Sequence, residues 1–120
     1  MDYVMLTFPG EKHRDWWRHA TSAERDVEIR AIEAWFREQA ERGHINGGAE
    51  LADPRSAKTI RKGLVTDGPY VETEEVLGGF ILIKASDEAA ALEIARSWPS
   101  LSWEDDAVEL RPEGATSASS

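Results

Sequence analysis

The carboxylate best placed for chemistry is that of Asp67, which begins the segment Asp67-Gly68-Pro69. In an apolar cavity a carboxylate can act as a general base. The same three residues also form a good turn, because Asp bonds nearby backbone, Gly permits unusual dihedral angles and Pro fixes φ. Two interpretations of Asp67 are therefore open: a turn residue, which we favour, and an acid–base group.

Two histidines, His13 and His19, flank the pair Trp16-Trp17. Two imidazoles and two indoles beside a sheet edge would line a pocket for an aromatic or anionic small molecule, with the histidines assisting Asp67. The alternative, which we favour, is a lid or dimer-contact segment whose tryptophans cover apolar surface. The histidines are six positions apart with no third ligand at a useful spacing. We therefore predict no metal site and no cofactor.

His44 and Tyr70 are the remaining candidates for contact with a ligand. His44 follows Gly43 at the predicted end of a helix, where an imidazole can interact with the last carbonyl groups, and ligand binding is its alternative role. Tyr70 would form a wall of the same pocket as the two tryptophans. The acidic runs at 72–75 and 104–106 lack the ligand spacing of a calcium site, so we predict that they are solvated loops.

Composition excludes several classes of protein. The chain has 120 residues, 14 basic and 23 acidic side chains, a net charge of −9 and no cysteine. The absence of cysteine excludes a disulfide scaffold, a thiol nucleophile and a thiolate metal site. The charge, with no basic stripe to offset it, disfavours nucleic acid. No apolar run approaches the roughly 20 residues of a membrane helix, and no signal peptide follows Met1. We predict a cytoplasmic domain without nucleic-acid or membrane partners.

The patterns of polarity predict five strands and two helices. The strands are expected at 2–8, 44–51, 58–66, 80–85 and 107–111, and the helices at 22–42 and 87–98. Residues 11–19 are predicted to be a connection. This order indicates an α+β fold, a ferredoxin-like antiparallel sheet with two helices on one face and an added hairpin. It forms a single domain over 1–112, followed by a disordered tail at 113–120.

The first and fourth predicted strands are apolar on both faces, whereas two helices can cover only one. We expect the side chains left uncovered to be Tyr3, Met5, Ile81 and Ile83. At about 25 cal/mol per Å², leaving them in water would forfeit several kcal/mol. We therefore predict a homodimer in which a second copy packs on the open sheet face.

The stretch 65–80 carries the most distinctive motif, Asp67-Gly68-Pro69-Tyr70, then an acidic loop, then Leu77-Gly78-Gly79-Phe80. It resembles the signature of the YCII-related, DGPF-motif family of small bacterial proteins, with Tyr70 in place of the Phe. The resemblance covers about residues 2–112. It implies a dimeric α/β barrel of the ferredoxin-like type, and most members of the family have no assigned activity.

The resemblance also bears on the site. Some relatives are proposed to use a His–Asp pair, with the His in the first helix and the Asp before a Pro at the end of the second. Here the predicted first helix contains no histidine, and Trp98 precedes Pro99. That pair is not carried over, whereas Asp67 matches the family motif.

Three functions are compatible with these residues. The first is a small dimeric accessory domain that binds a small molecule. The second is a small-molecule enzyme with lyase, isomerase or dehydrochlorinase-like chemistry, in which Asp67 is the acid–base group. The third is an interaction module that acts with a transcription-related, sigma-factor-like partner. We favour the first.

Overall fold

The computed structural model describes residues 2–71 and 75–114. In chain order the elements are β1 (Asp2–Phe8), α1 (Glu11–His19), α2 (Ser22–Glu41), β2 (Ile45–Glu50), a 3₁₀ turn (Pro54–Ser56), β3 (Lys58–Arg61), β4 (Leu64–Asp67), β5 (Gly79–Lys84), α3 (Glu88–Arg96), a second 3₁₀ turn (Pro99–Ser102) and β6 (Ala107–Pro112). Glu72 and Glu74 of the predicted acidic loop, and the predicted tail from residue 115 onward, lie outside the described residues.

Four strands form one antiparallel sheet in the order β2-β5-β1-β6. The central strands are β5 and β1, and the helical segments connect β1 to β2 and β5 to β6. This is the arrangement of a ferredoxin-like βαββαβ fold. The predicted α+β, ferredoxin-like class is confirmed, whereas the dimeric barrel stays a prediction.

The hydrophobic core lies between the helices and one face of this sheet. Its buried members are Tyr3, Met5, Trp35, Ile81, Ile83, Ala91, Ile94 and Ala95. Tyr3, Met5, Ile81 and Ile83 are at most 3 % exposed. The prediction that these four form the uncovered face is therefore wrong. Both faces are apolar, so alternation alone could not tell which of them the helices cover.

The uncovered face of the sheet is the opposite one. Val4 pairs across the strands with Leu82, and Leu6 pairs with Phe80. Phe8 continues the row, and none of the five is buried, with Leu82 37 % exposed. The molecule is 21 Å thick in its thinnest direction, which is the depth of one sheet and one helix layer of about 10 Å each. The predicted apolar open face of the sheet therefore exists, but other residues line it than those that the sequence patterns predicted.

The helices explain one success and one failure of the sequence patterns. The helix predicted at 22–42 is present as α2 and begins at a capping box, with the Thr21 hydroxyl accepting from the Glu24 N–H at 3.1 Å and the Thr21 N–H donating to the Glu24 carboxylate at 2.9 Å. The hydrogen bond from the Thr21 backbone N–H to this carboxylate lowers the pKa of Glu24. The prediction of two helices is wrong, because residues 11–19 form α1. This polar helix of nine residues is too short to form on its own, so its stability comes from tertiary contacts.

The segment predicted as one strand at 58–66 is instead a tight hairpin. Lys62 and Gly63 both have positive φ, 50° and 79°, and they reverse the chain between β3 and β4. Positive φ at both central residues is the geometry of a two-residue hairpin turn. Ile60 therefore pairs with Val65, and Leu64 lies on the other face of the hairpin. The prediction of one continuous strand at 58–66 is wrong because the chain turns at Lys62 and Gly63.

Candidate functional site

The acidic run at 104–106 holds the start of α1 in place. The Gly10 N–H donates to Asp106 at 2.7 Å, and the Lys12 N–H donates to Asp105 at 3.0 Å. Free N–H groups at a helix start attract carboxylates. A hydrogen bond to Glu104 raises the pKa of Lys12. The side chain of Asp106 is only 4 % exposed, so the prediction of a solvated loop is wrong for this residue.

His13 sits between two carboxylates that come from distant parts of the chain. Its Nδ1 lies 2.6 Å from Asp106 Oδ2, and its Nε2 lies 2.5 Å from Glu28 Oε1 on α2. The imidazole side chain is 9 % exposed and Glu28 is 17 % exposed. We call His13, Glu28 and Asp106 the His13 cluster.

An aromatic stack continues from this cluster. The ring of His13 is parallel to Trp103, at an angle of 9° and a centroid distance of 4.7 Å. Trp16 lies 5.6 Å from Trp103, Trp17 lies 6.2 Å from Trp16, and the Arg25 guanidinium is 5.2 Å from Trp17. The tryptophans thus fasten α1 to the chain before β6 and to α2. The lid or dimer-contact role favoured from the sequence stays a prediction.

Gly10 permits this close approach. A Cβ at position 10 would lie 2.2 Å from Asp105 Cγ and 2.5 Å from its carbonyl oxygen. We expect Gly10→Ala to push α1 away from the acidic run and to lower the free energy of unfolding by about 1–3 kcal/mol, as overpacking does.

Urea unfolding monitored by tryptophan fluorescence measures this loss. Gly114→Ala is the matched control, because an added Cβ there meets nothing within 4 Å. Equal stability of the two variants would show that the contact of Gly10 with Asp105 is not needed.

The Asp67 carboxylate of the family motif is not part of the His13 cluster. Asp67 is the last residue of β4, its side chain is 87 % exposed, and it forms a salt bridge with Lys58 on β3. Tyr70 is 68 % exposed, and the Arg61 guanidinium lies 5.5 Å from its ring. Within one chain the structure therefore brings Asp67 together with Lys58, and His13 together with Asp106 and Glu28.

The other predicted histidines have separate environments. His19 ends α1, with its side chain 76 % exposed and its Nδ1 2.9 Å from the Asp15 carbonyl oxygen. His44 follows α2, and its Nδ1 lies 2.7 Å from the buried Gln39 side chain. Its Nε2 forms no hydrogen bond with any residue that the structure describes. In the same described part of the chain, no three His, Asp or Glu side chains are arranged to hold a metal ion.

His44 lines a cavity of about 340 Å³ at the end of the sheet next to α3. The polar residues that line it are His44, Lys84, Ser86 and Glu93, and the apolar ones are Ala85, Ala90 and Ile94. Glu93 is also paired with Arg96 at 3.0 Å. Lys84 follows the buried Ile83 along β5, so its side chain extends from the same sheet face as Leu82, and it makes no salt bridge within the described residues.

Comparison with known proteins now identifies the family. The model of the YCII-related domain matches residues 1–112. The chain belongs to the YCII-related domain family. An uncharacterised protein of Rhizobium meliloti (strain 1021) is 32 % identical over 117 residues, which cover 93 % of this chain and 91 % of that protein. The resemblance found from the motif is confirmed.

The Leu-Gly-Gly-Phe part of the motif has a packing explanation in this YCII-related domain. A Cβ at Gly78 would lie 2.7 Å from Pro9 Cδ, and one at Gly79 would lie 2.8 Å from the Ala49 carbonyl oxygen. The Gly78 N–H also donates to the Thr7 carbonyl at 2.7 Å. Glycine is needed here because the start of β5 lies between two close neighbours.

The sequence patterns missed Glu28, Trp103 and Asp106 of this YCII-related domain. One usable signal was the spacing of His13, Trp16 and Trp17 at i, i+3 and i+4, which is that of one helix face. Recognising α1 would have placed His13 on a helix beside an unassigned acidic run. Separately, no helix among the described residues is long and apolar enough to cross a membrane.

Proposed function

We propose that this YCII-related domain is a homodimeric binding protein for a small anionic molecule, which it takes up in the cavity beside His44. The observation that supports the proposal is that His44 and Ser86 line this cavity beside the apolar residues Ala85, Ala90 and Ile94. An imidazole and a hydroxyl group can donate to a carboxylate or phosphate, and Lys84 is the cation among the lining residues. The volume of about 340 Å³ falls in the range of about 300–1,000 Å³ of small-molecule sites.

The homodimer is supported by the uncovered sheet face. Leu6, Phe80 and Leu82 lie on the two central strands, yet they are left half-buried or exposed. The edge of this face carries charged residues such as Glu109 and Arg111, which lie opposite Leu6 and Val4. An apolar centre with a polar rim is the usual composition of a protein interface. A second copy would supply the missing layer.

The alternatives have less support. An enzyme that uses Asp67 as its base needs a partner group near this carboxylate, whereas Asp67 is exposed and paired with Lys58. The His13 cluster is a His–Asp pair at positions other than those expected from relatives, but both of its ring nitrogens are already bonded. These contacts favour binding over catalysis. The proposal includes a cytoplasmic location, where a chain without disulfides can fold.

Thermal unfolding in the presence of small carboxylates and phosphates tests the binding function. A ligand at about 100 times its Kd stabilises the folded state by about 2.7 kcal/mol, which corresponds to a rise in Tm of about 10 °C or more for a domain of this size. We expect at least one anionic compound to produce such a shift.

We expect the double variant His44→Ala with Lys84→Ala to lose this shift. Arg37→Ala, which removes an exposed cation on α2, is the control and should keep it. A shift that survives in the double variant would place the ligand elsewhere, and a panel without any shift would contradict the proposed function.

A further inference from the structure

The hairpin of β3 and β4, which we call the hairpin arm, exposes apolar side chains on both of its faces. Ile60, Leu64 and Val65 are 70 %, 72 % and 63 % exposed. The arm forms its own two-stranded sheet, separate from the four-stranded one. Two-stranded hairpins are marginally stable in water unless they pack on something else. These three side chains are exposed to solvent in a single chain, and another surface is needed to bury them.

The arm also differs from the rest of the chain in charge. Residues 58–67 contain three of the 14 basic side chains and one acidic side chain, Asp67, so the remainder of the chain has 11 basic and 22 acidic side chains. Two copies of a chain with a net charge of −9 repel each other unless opposite charges meet locally.

We propose that the hairpin arm of each copy docks on the other copy, whose charge outside its own arm is strongly negative, next to the paired sheet faces. This inference rests on the proposed homodimer and adds a second contact region to it. In a two-fold dimer each chain supplies one basic arm and one acidic body, so the favourable contact forms twice. No other protein is required to balance the charge of the arm.

The proposal gives the family motif a role in docking. The salt bridge of Asp67 with Lys58 closes the open end of the arm, and Tyr70 supports the Arg61 guanidinium. Thr59 Oγ1 donates to the Gly68 carbonyl at 2.8 Å, which fixes the turn that follows the arm. The motif thus orients Arg61 and Ile60 for contact with the second copy.

Sedimentation equilibrium of the full chain with a charge reversal in the arm tests this role. We expect Arg61→Glu with Lys62→Glu to raise the Kd of the dimer at least about tenfold at low salt, and we expect high salt to remove most of that difference. The matched control is Arg30→Glu with Arg37→Glu, which makes the same charge change at exposed positions on α2 and should not weaken the dimer.

Amide hydrogen exchange of the wild-type chain gives a second test that needs no variant. Exchange at residues 59–66 should slow as the concentration rises through the Kd of the dimer. Two results would overturn the docking of the arm: a dimer in which these amides still exchange fast, or a dimer whose Kd is unchanged by the charge reversal. In either case the exposed side chains of the arm would bind a different partner. A wild-type chain that stays monomeric at every concentration would overturn the homodimer itself.

Discussion

His13→Ala is expected to lower the free energy of unfolding by about 3–5 kcal/mol, the largest effect of any single substitution considered. The imidazole is the shared partner of Asp106 and Glu28, and the Asp106 side chain is 4 % exposed. Removing the ring leaves two largely buried carboxylates without this hydrogen-bond partner, and this is the main source of the loss. The stacking of the ring on Trp103 is lost as well.

Urea unfolding of His13→Ala and His19→Ala measures this effect. Both histidines belong to α1, but the His19 side chain is 76 % exposed, so its substitution should cost less than about 0.5 kcal/mol. Adding Glu28→Gln to His13→Ala should recover part of the loss, because one unpaired carboxylate is removed. A His13→Ala variant as stable as His19→Ala would contradict the bonding of the His13 cluster.

Leu82→Glu is expected to raise the Kd of the dimer at least about 100-fold, the equivalent of about 2.7 kcal/mol. Leu82 lies on a central strand at the middle of the uncovered sheet face, opposite Val4. A carboxylate there would be buried without a partner when a second copy packs on it. In the monomer the side chain is 37 % exposed, so the fold itself should tolerate the change.

Leu92→Glu is the matched control for this experiment. Leu92 is 39 % exposed, almost the same as Leu82, but it lies on α3 in the helix layer. Analytical ultracentrifugation of both variants across a range of concentrations separates the two positions. If Leu92→Glu weakens association as much as Leu82→Glu, the interface is not confined to the sheet face.

Much of the fold could be predicted from the sequence because local signals agreed with tertiary packing. The strand predicted at 2–8, the helix predicted at 22–42 and the strand predicted at 80–85 each lie close to the elements β1, α2 and β5. The hairpin turn at Lys62-Gly63 was missed because Lys is an uncommon residue at a position with positive φ. Helix α1 was missed because contacts made far away in the sequence, by Asp106 above all, determine its position.

The candidate site was harder to predict for a related reason. The environment of His13 depends on Glu28, which is 15 positions along the chain, and on Asp106, which is 93 positions along. No rule of sequence spacing connects these three residues. The choice of the uncovered sheet face was wrong for Ile81 and Ile83 because β5 is apolar on both sides. Only the placement of α2 and α3 determines which side is buried.

The presence of a second copy on the exposed side of the sheet is most directly measured by sedimentation equilibrium of the wild-type chain at micromolar concentration. The account predicts a mass of twice the 13.4 kDa chain, with a return to the single-chain mass on dilution. A mass of 13.4 kDa at every concentration would mean that Leu6, Phe80 and Leu82 face water in the working protein, and it would contradict the account.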